Sequence, residues 1–377
     1  MKCICISCFD HYATRMKEIV GFFASKQFDV LYVISDFQHF EKKRFVANYD
    51  NCVQVRVPSY KSNLSIKRLL SHHVFSREVF KILKRQQPDV IYCMFPPNSL
   101  VKAINKYKKK HDVRVIFDCY DMWPESFPYS RLGFLLKLPF SIWRNLREKN
   151  IGCADMLVCV SKSSEDYWNN KHPSIKTKVL MPAITIGDIP KYSFDVSSEI
   201  NFCYLGNINH IIDIDFAVEF LSKIANKKKT ILHLIGDGIK KIEFVEKLEK
   251  NNVNVISYGV VFDEEQKKDI FAKCALALNI PRKEIHSTMP LKGIEYLQKG
   301  IPFVNTGEGD IANLVNLYRI GFNVSGESLN ETVNKIISID TIQLKEMSNN
   351  CQNCYLERFA NQNLEFIFEN VISTSNK

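Results

Sequence analysis

Along the first 180 residues, short apolar runs alternate with stretches whose apolar positions recur every three or four residues. The runs are CICIS (3–7), VLYVIS (30–35), VQVRV (53–57), VIYCMF (90–95), VRVIFD (113–118) and MLVCVS (156–161). They read as strands, and RMKEIVGFFASK and SREVFKILKRQ between them read as helices. This alternation predicts a parallel, doubly wound sheet, in which ligands bind beyond the carboxyl ends of the strands. The stretch VLMPAITIGDIPKYSFDVSSE (179–199), with its prolines and Ser/Asp cluster, interrupts the pattern as a linker. The alternation then restarts with INFCYLG, DFAVEFLSKIA, TILHLIG, KIEFVEKLEK, VNVISYG, EEQKKDIFAKC, ALALNI, IEYLQK and PFVNT. RFANQNLEFIFENVI has the spacing of an amphipathic terminal helix. The expectation is an α/β chain of two similar halves. Residues 1–180 form the first domain, 181–199 the linker and 200–357 the second domain. A terminal helix within 358–377 packs back on the first domain.

Composition narrows the class. At 377 residues the chain is too long for one ordinary core, and 46% apolar residues is a globular content. No apolar run reaches the roughly 20 residues that span a bilayer. MKCICISCFD reads as a first strand and lacks the apolar core of a signal peptide. Twelve cysteines lie scattered, mostly in apolar strands, as expected of reduced buried thiols in a cytoplasmic protein. CQNC (351–354) has no second pair nearby, which argues against zinc. The net charge of +10 is uneven: residues 1–180 hold 30 Lys and Arg against 16 Asp and Glu, and the remainder 21 against 25. The first half therefore faces something anionic, whether nucleic acid, an acidic leaflet or a phosphorylated substrate.

The most informative stretch is HSTMPLKGIEYLQKGIPFVNT (286–306). A helix starting near Met289 or Pro290 leaves unpaired amides at its positive end, a ready anion site. Lys292 adds a point charge suited to phosphate, and Leu291 lies beside it. Glu295 follows on the same face, and an ionised carboxylate can accept both hydroxyls of a ribose. Together these groups describe a nucleoside diphosphate. The plainer reading is a surface Lys–Glu pair at i,i+3. Other strand ends converge on the same edge. LHLIGDG ends in Gly236, Asp237 and Gly238, and Gly206 and Asn207 end the first strand of the second half. Tyr258, Gly259 and Val260 can clamp a base with backbone groups, and GEGD (307–310) offers a further helix mouth.

With MPLKGIEYLQKGIPFVNT, YLGNINHIIDID (204–215), LHLIGDG, DCYDMWPES (118–126) and ADMLVCVS (154–161), the chain resembles the GT-B glycosyltransferases. The likeness is to the retaining, family 4-like group found in bacterial surface-polysaccharide assembly, such as O-antigen and capsule. It implies two Rossmann-like, doubly wound domains facing across a cleft. The nucleotide-sugar donor would lie on the second domain, and a glycan or polyprenyl-diphosphate-linked acceptor on the first. Glu295 would bind the donor ribose, and residues from Met289 to Lys292 would meet the diphosphate and sugar. The chain departs from the family pattern at three places. Ser287 replaces a glutamate that contacts the sugar. Asn207 and Ile208 replace the usual Arg and Lys, shifting phosphate neutralisation to Lys292 with help from Arg282 or Lys283. Tyr120 stands where a His is common.

In the first half, Asp10, His11 and Arg15 follow strand one at the substrate edge, and Asp121, Trp123 and Glu125 follow another strand there. Asp10, His11 or Asp121 can serve as a general base, although an Asp after a strand is commonly a helix cap. Trp123 is expected to pack the domain. SRLGFLLKLPFSIWRNLREK (130–149) mixes large apolar residues with Arg131, Lys137, Arg144 and Arg147, the composition of an interfacial helix on an anionic leaflet. The expected localisation is cytoplasmic, peripheral on the inner face of the membrane, with no nucleic acid partner. No cofactor is expected, and transfer is read as metal-independent. The rival readings are an epimerase or hydrolase on the same fold and a non-catalytic partner subunit. A dehydrogenase is weaker, because the glycine turns lack a full GxGxxG with its acidic residue.

Overall fold

The structure is a computed structural model that describes residues 1–121, 123–124, 133–182, 189–190, 192, 196–283, 289–360 and 362–372. The chain divides into two compact units, Met1–Met181 with Asn363–Lys377, and Pro182–Gln362.

The first unit is a seven-stranded sheet. Its strands are β1 (Lys2–Ser7), β2 (Asp29–Ser35), β3 (Cys52–Val55), β4 (Val90–Phe95), β5 (Arg114–Cys119), β6 (Met156–Cys159) and β7 (Lys176–Val179), in the order β3-β2-β1-β4-β5-β6-β7. Every neighbouring pair is parallel. The helices are α1 (Ala13–Ser25), α2 (Ile66–Gln86), α3 (Asn98–Lys108), α4 (Gly133–Glu148) and α5 (Lys162–Lys171). β1 and β4 lie at the centre, with Cys3, Ile4, Cys5 and Ile6 and the whole of Val90–Phe95 out of solvent. That burial explains why both read as unbroken apolar runs. Lys176–Val179, which no apolar run marks, is the edge strand β7, mostly half-buried and rich in lysine. Charge on an edge strand hides its signal and blunts the open edge.

The second unit repeats the plan with six parallel strands. They are β8 (Glu199–Leu205), β9 (Lys229–Ile235), β10 (Asn254–Gly259), β11 (Leu276–Asn279), β12 (Phe303–Asn305) and β13 (Gly321–Asn323), in the order β10-β9-β8-β11-β12-β13. Its helices are α6 (Ile214–Ala225), α7 (Lys241–Glu249), α8 (Glu264–Phe271), α9 (Leu291–Lys299), α10 (Asp310–Tyr318), α11 (Leu329–Ile337) and α12 (Thr341–Tyr355). The three-residue β13 gave no sequence signal; its register against β12 puts Asn323 opposite Asn305, which lies opposite Asn279. These asparagines form a hydrogen-bonded row across three strand ends, at 2.7 Å for each step.

The expected single terminal helix is two pieces. Leu356–Ala360 continues α12 as a π-turn, and a new helix, α13 (Leu364–Ile372), follows. Phe359 stacks on Tyr355 in the second unit, whereas Phe368 packs among Phe22, Phe23 and Tyr92 of the first. Lys26 and Glu365 add a 2.6 Å ion pair to the second contact.

Candidate functional site

In the second unit the strand order reverses between β8 and β11, the place where open parallel sheets bind ligands. A cavity of about 1030 Å³ opens there. Its floor comes from three strand-end loops bound to one another. The Gly206 amide donates to Ile235 O, Ile208 to Asp237 O, and Gly236 to Gly259 O. Gly236 has φ +145°, and a Cβ on it would stand 2.0 Å from Gly206 O. Glycine is therefore demanded here by loop-on-loop packing, not only by approach of a ligand. Gly206, Asn207, Gly236, Asp237, Gly238 and Val260 all border the cavity. Tyr258 does not serve it with its ring: the hydroxyl pairs with His233 Nδ1 at 2.8 Å, and His233 Nε2 lies 3.2 Å from Asn201. Strand alternation turns that side chain away, and the Gly259 carbonyl is taken by the Gly236 amide.

α9 forms the opposite wall. Pro290 is its N-cap, in extended conformation, with no side-chain cap, so nothing of that kind screens the amides of Leu291 and Lys292. Met289 is buried just before it, and Leu291 reaches the cavity. The amine of Lys292 folds over the Tyr204 ring, 4.2 Å from its centroid, and donates to the Tyr204 hydroxyl at 3.1 Å. Among the described residues no carboxylate pairs with it. Burial lowers the pKa of this amine to about 8.

Lys292 and Glu295 do not form the surface pair that their spacing allows. Glu295 instead meets Lys267 of α8 at 2.9 Å, and Lys267 also holds Glu264. Burial works to lower the Lys267 pKa, but the bonds to Glu264 and Glu295 prevail and raise it. Lys267, Ile239 and Phe262 line the same cavity and escaped sequence reading. Phe262 is 87% exposed and Ile239 77%, so the rim offers apolar faces for a flat ring. An exposed Phe in a loop would have been the one available signal. Arg282 and Lys283 do not assist Lys292 in this cavity. Arg282 donates to Ile212 O at 3.3 Å, and Lys283 borders a separate cavity beside Gly307, Glu308 and Gly309. Ser287 lies outside the described residues. Among those residues there is no group of three His, Cys, Asp or Glu able to hold a metal, and no helix long and apolar enough to cross a membrane.

Residues 13–184 match the family model described as Glycosyltransferase Family 4, and residues 199–340 the one described as Glycosyl transferases group 1. The chain is a glycosyltransferase. Solved structures similar to it have the GT-B fold, with low identity. Sucrose-phosphate synthase from Thermosynechococcus elongatus superposes with a TM-score of 0.71 at 11% identity, covering 95% of each chain. WaaG, a glycosyltransferase involved in lipopolysaccharide biosynthesis, gives 0.66 at 15%, covering 99% of each. Anabaena Alr3699/HepE in complex with UDP gives 0.63 at 16%, again over 99% of each. No curated protein matches the chain by sequence.

In the first unit of this glycosyltransferase Asp10 and His11 lie beside His39, Arg68 acts on both His11 and Asp121, and Arg15 stands apart in a buried ion pair. Arg15 follows β1 but is held in an ion pair. It is buried, gripping Asp118 with Nε at 2.6 Å and Nη2 at 3.1 Å, and Nη1 donates to Leu180 O at 2.8 Å. Asp10 accepts the His39 amide at 2.9 Å. His11 keeps solvent contact while stacking on Phe9 at 5.4 Å. Desolvation lowers its pKa to about 4, against the pull of Asp10 and with the help of Arg68. Asp121 is half-buried near Arg68. Trp123 packs on Phe140 and Trp143 of α4, as expected of a packing residue. Glu125 lies outside the described residues, as does the start of the stretch 130–149. All twelve cysteines are free thiols, with Cys351 and Cys354 buried on α12.

Proposed function

We propose that this glycosyltransferase moves a sugar from a nucleoside-diphosphate sugar, bound in the β8/β11 cavity, to a glycan or lipid-linked acceptor in surface-polysaccharide assembly. One observation carries the reading: the Lys292 amine, desolvated and paired with no carboxylate among the described residues, stands at the uncapped start of α9, one turn from Glu295. The diphosphate would receive the amides of Leu291 and Lys292 and the ammonium. Glu295, held by Lys267, would accept the ribose hydroxyls, and the base would lie against the apolar rim near Phe262. The UDP bound in Alr3699/HepE supports a nucleotide ligand for this fold, and WaaG's place in lipopolysaccharide biosynthesis supports a polysaccharide role.

The chemistry that this site can perform is electrostatic. As the bond from the anomeric carbon to the phosphate oxygen breaks, charge grows on the leaving diphosphate, and preorganised donors stabilise it there. The acceptor oxygen forms the new bond on the same face, and its proton passes to the departing phosphate oxygen. This retaining route needs no protein base. It suits a chain whose Asp10 is occupied by the His39 amide and whose His11 is held as a weak base. Inversion would instead require Asp121, Asp10 or His11 to take the proton. Calorimetric titration with UDP and GDP tests the donor cavity, and the anomeric configuration of the product separates the two routes. Lys292 supplies the cation that a metal would otherwise provide. Turnover is therefore expected to survive EDTA; loss in EDTA restored by Mg²⁺ would refute the metal-independent part.

A further inference from the structure

Glu295 is not an isolated carboxylate on the cavity wall. It ends a row of four alternating charges that runs between α8 and α9: Glu295, Lys267, Glu264 and Lys299. Lys267 Nζ donates to Glu295 Oε1 at 2.9 Å and lies 2.5 Å from Glu264 Oε1. The buried Lys299 amine stands 3.5 Å from the other oxygen of Glu264. Helical spacing builds the row, with Glu264 and Lys267 one turn apart on α8 and Glu295 and Lys299 one turn apart on α9. Each helix end suits its charge, an acid in the first turn of α8 and a base in the last turn of α9.

The row is uneven. The Glu264 side chain is 60% exposed, whereas Lys267 and Glu295 keep 12% and 15%. Of the four, Lys267 and Glu295 border the β8/β11 cavity. Lys267 is poorly suited to a diphosphate, because two carboxylates already meet its charge. Its effect falls on Glu295. A lone carboxylate one turn from Lys292 would repel an incoming diphosphate, and it would lose rotamer freedom on meeting a ribose. The Lys267 ammonium offsets that charge and fixes the side chain by Oε1. Oε2 receives no hydrogen bond from the described residues.

We propose that Lys267 is a positioning residue for nucleotide recognition. It holds Glu295 by one oxygen so that the other is presented to the ribose hydroxyls, and so sets how strictly the site selects a ribonucleotide over one lacking those hydroxyls. The proposal rests on the donor reading of the cavity and adds to it a residue that acts through Glu295.

The test is calorimetric titration of the full chain with UDP and GDP, and with the 2′,3′-dideoxy form of whichever binds. Wild type is expected to bind the ribonucleotide about tenfold or more tightly than its dideoxy form. Lys267→Met is expected to shrink that ratio to within about threefold, and Lys267→Arg, which keeps a cationic donor, to recover most of it. The ratio is the readout because a change of net charge or a loosening of α8 weakens both nucleotides alike and cancels. If Lys267→Met fails to fold with two carboxylates left facing each other, the same substitution in a Glu264→Gln background decides in its place, since it removes the exposed one of the pair. A ratio kept in Lys267→Met, with both affinities lowered, would make the row a structural tie; it overturns the proposal and leaves the donor reading standing. A ratio in Lys267→Arg no higher than in Lys267→Met overturns it as well. A wild-type ratio near one, or no binding of either nucleotide, removes the ribose-binding role of Glu295 itself and takes this proposal with it.

Discussion

Arg15 and Lys292 occupy comparable places in the two units. Each is a largely buried cation in the first turn of a helix that packs on a parallel sheet. Arg15 meets a fully buried carboxylate through two nitrogens, and Tyr92 donates a third bond to the same Asp118. Asp118 overrides the cost of burial and raises the arginine's pKa. Lys292 meets a phenol and a ring face, and its pKa falls. The first arrangement is complete as it stands and acts as a structural bolt. The second is a charge whose best partner has to arrive from solution.

This contrast can be broken at several points. The largest effect is expected from Arg15→Ala, which leaves the Asp118 charge buried with only the Tyr92 hydroxyl; denaturant melts should show a loss of about 3–5 kcal/mol. Lys292→Met should do the opposite to the fold, raising the melting temperature, because it removes a desolvated ammonium that no carboxylate among the described residues offsets. In steady-state assays, however, it should slow transfer roughly 10²–10³-fold, about 2.7–4 kcal/mol of transition-state stabilisation. A variant that loses stability and keeps its turnover would make Lys292 a second Arg15. Glu295→Ala should weaken nucleotide binding by about 1.5–3 kcal/mol in calorimetry, as for lost charge-assisted hydrogen bonds. It also frees Lys267 from one of its two carboxylates.

The smallest effect is on pH dependence, and its sign separates the two cations. Free Lys292 titrates near pH 8, and a bound diphosphate would raise that value. Below pH 8 the amine is already charged and nucleotide affinity is at its full level. Above pH 8 each binding event must take up a proton, so affinity should fall, by up to about tenfold per pH unit, until the raised bound-state value is reached. The stability of the free protein should move the other way: with the folded pKa below the ordinary lysine value, folding strengthens as pH climbs from about 8 toward 10.5. Arg15 should add nothing to either curve. Titration of UDP binding from pH 7 to 9.5 in wild type and Lys292→Met reads the first curve, and denaturant melts of the free proteins over the same range read the second.

Much of the fold was legible because central parallel strands are apolar throughout: Val90–Phe95 and Leu276–Asn279 announce themselves whatever surrounds them. The strands that escaped notice, Lys176–Val179 and Gly321–Asn323, are an edge strand rich in lysine and a three-residue piece. Their pairing comes from neighbours and not from their own composition. The α9 start was also readable, since Pro at a helix entry and Gly300 in the left-handed conformation at its exit are local requirements.

The residue types at α9 and the glycine-bearing strand ends were determined by the sequence alone, because helix starts and tight turns are chosen over a few neighbouring residues. Which groups those residues face was decided only in three dimensions. Glu295 pairs with Lys267 across 28 positions, Lys292 reaches Tyr204 across 88, and Arg15 finds Asp118 across 103. Spacing along one helix carries no information about such partners. The distinction between a satisfied charge and a waiting one follows from desolvation, a property of the packed interior that no local stretch of chain possesses.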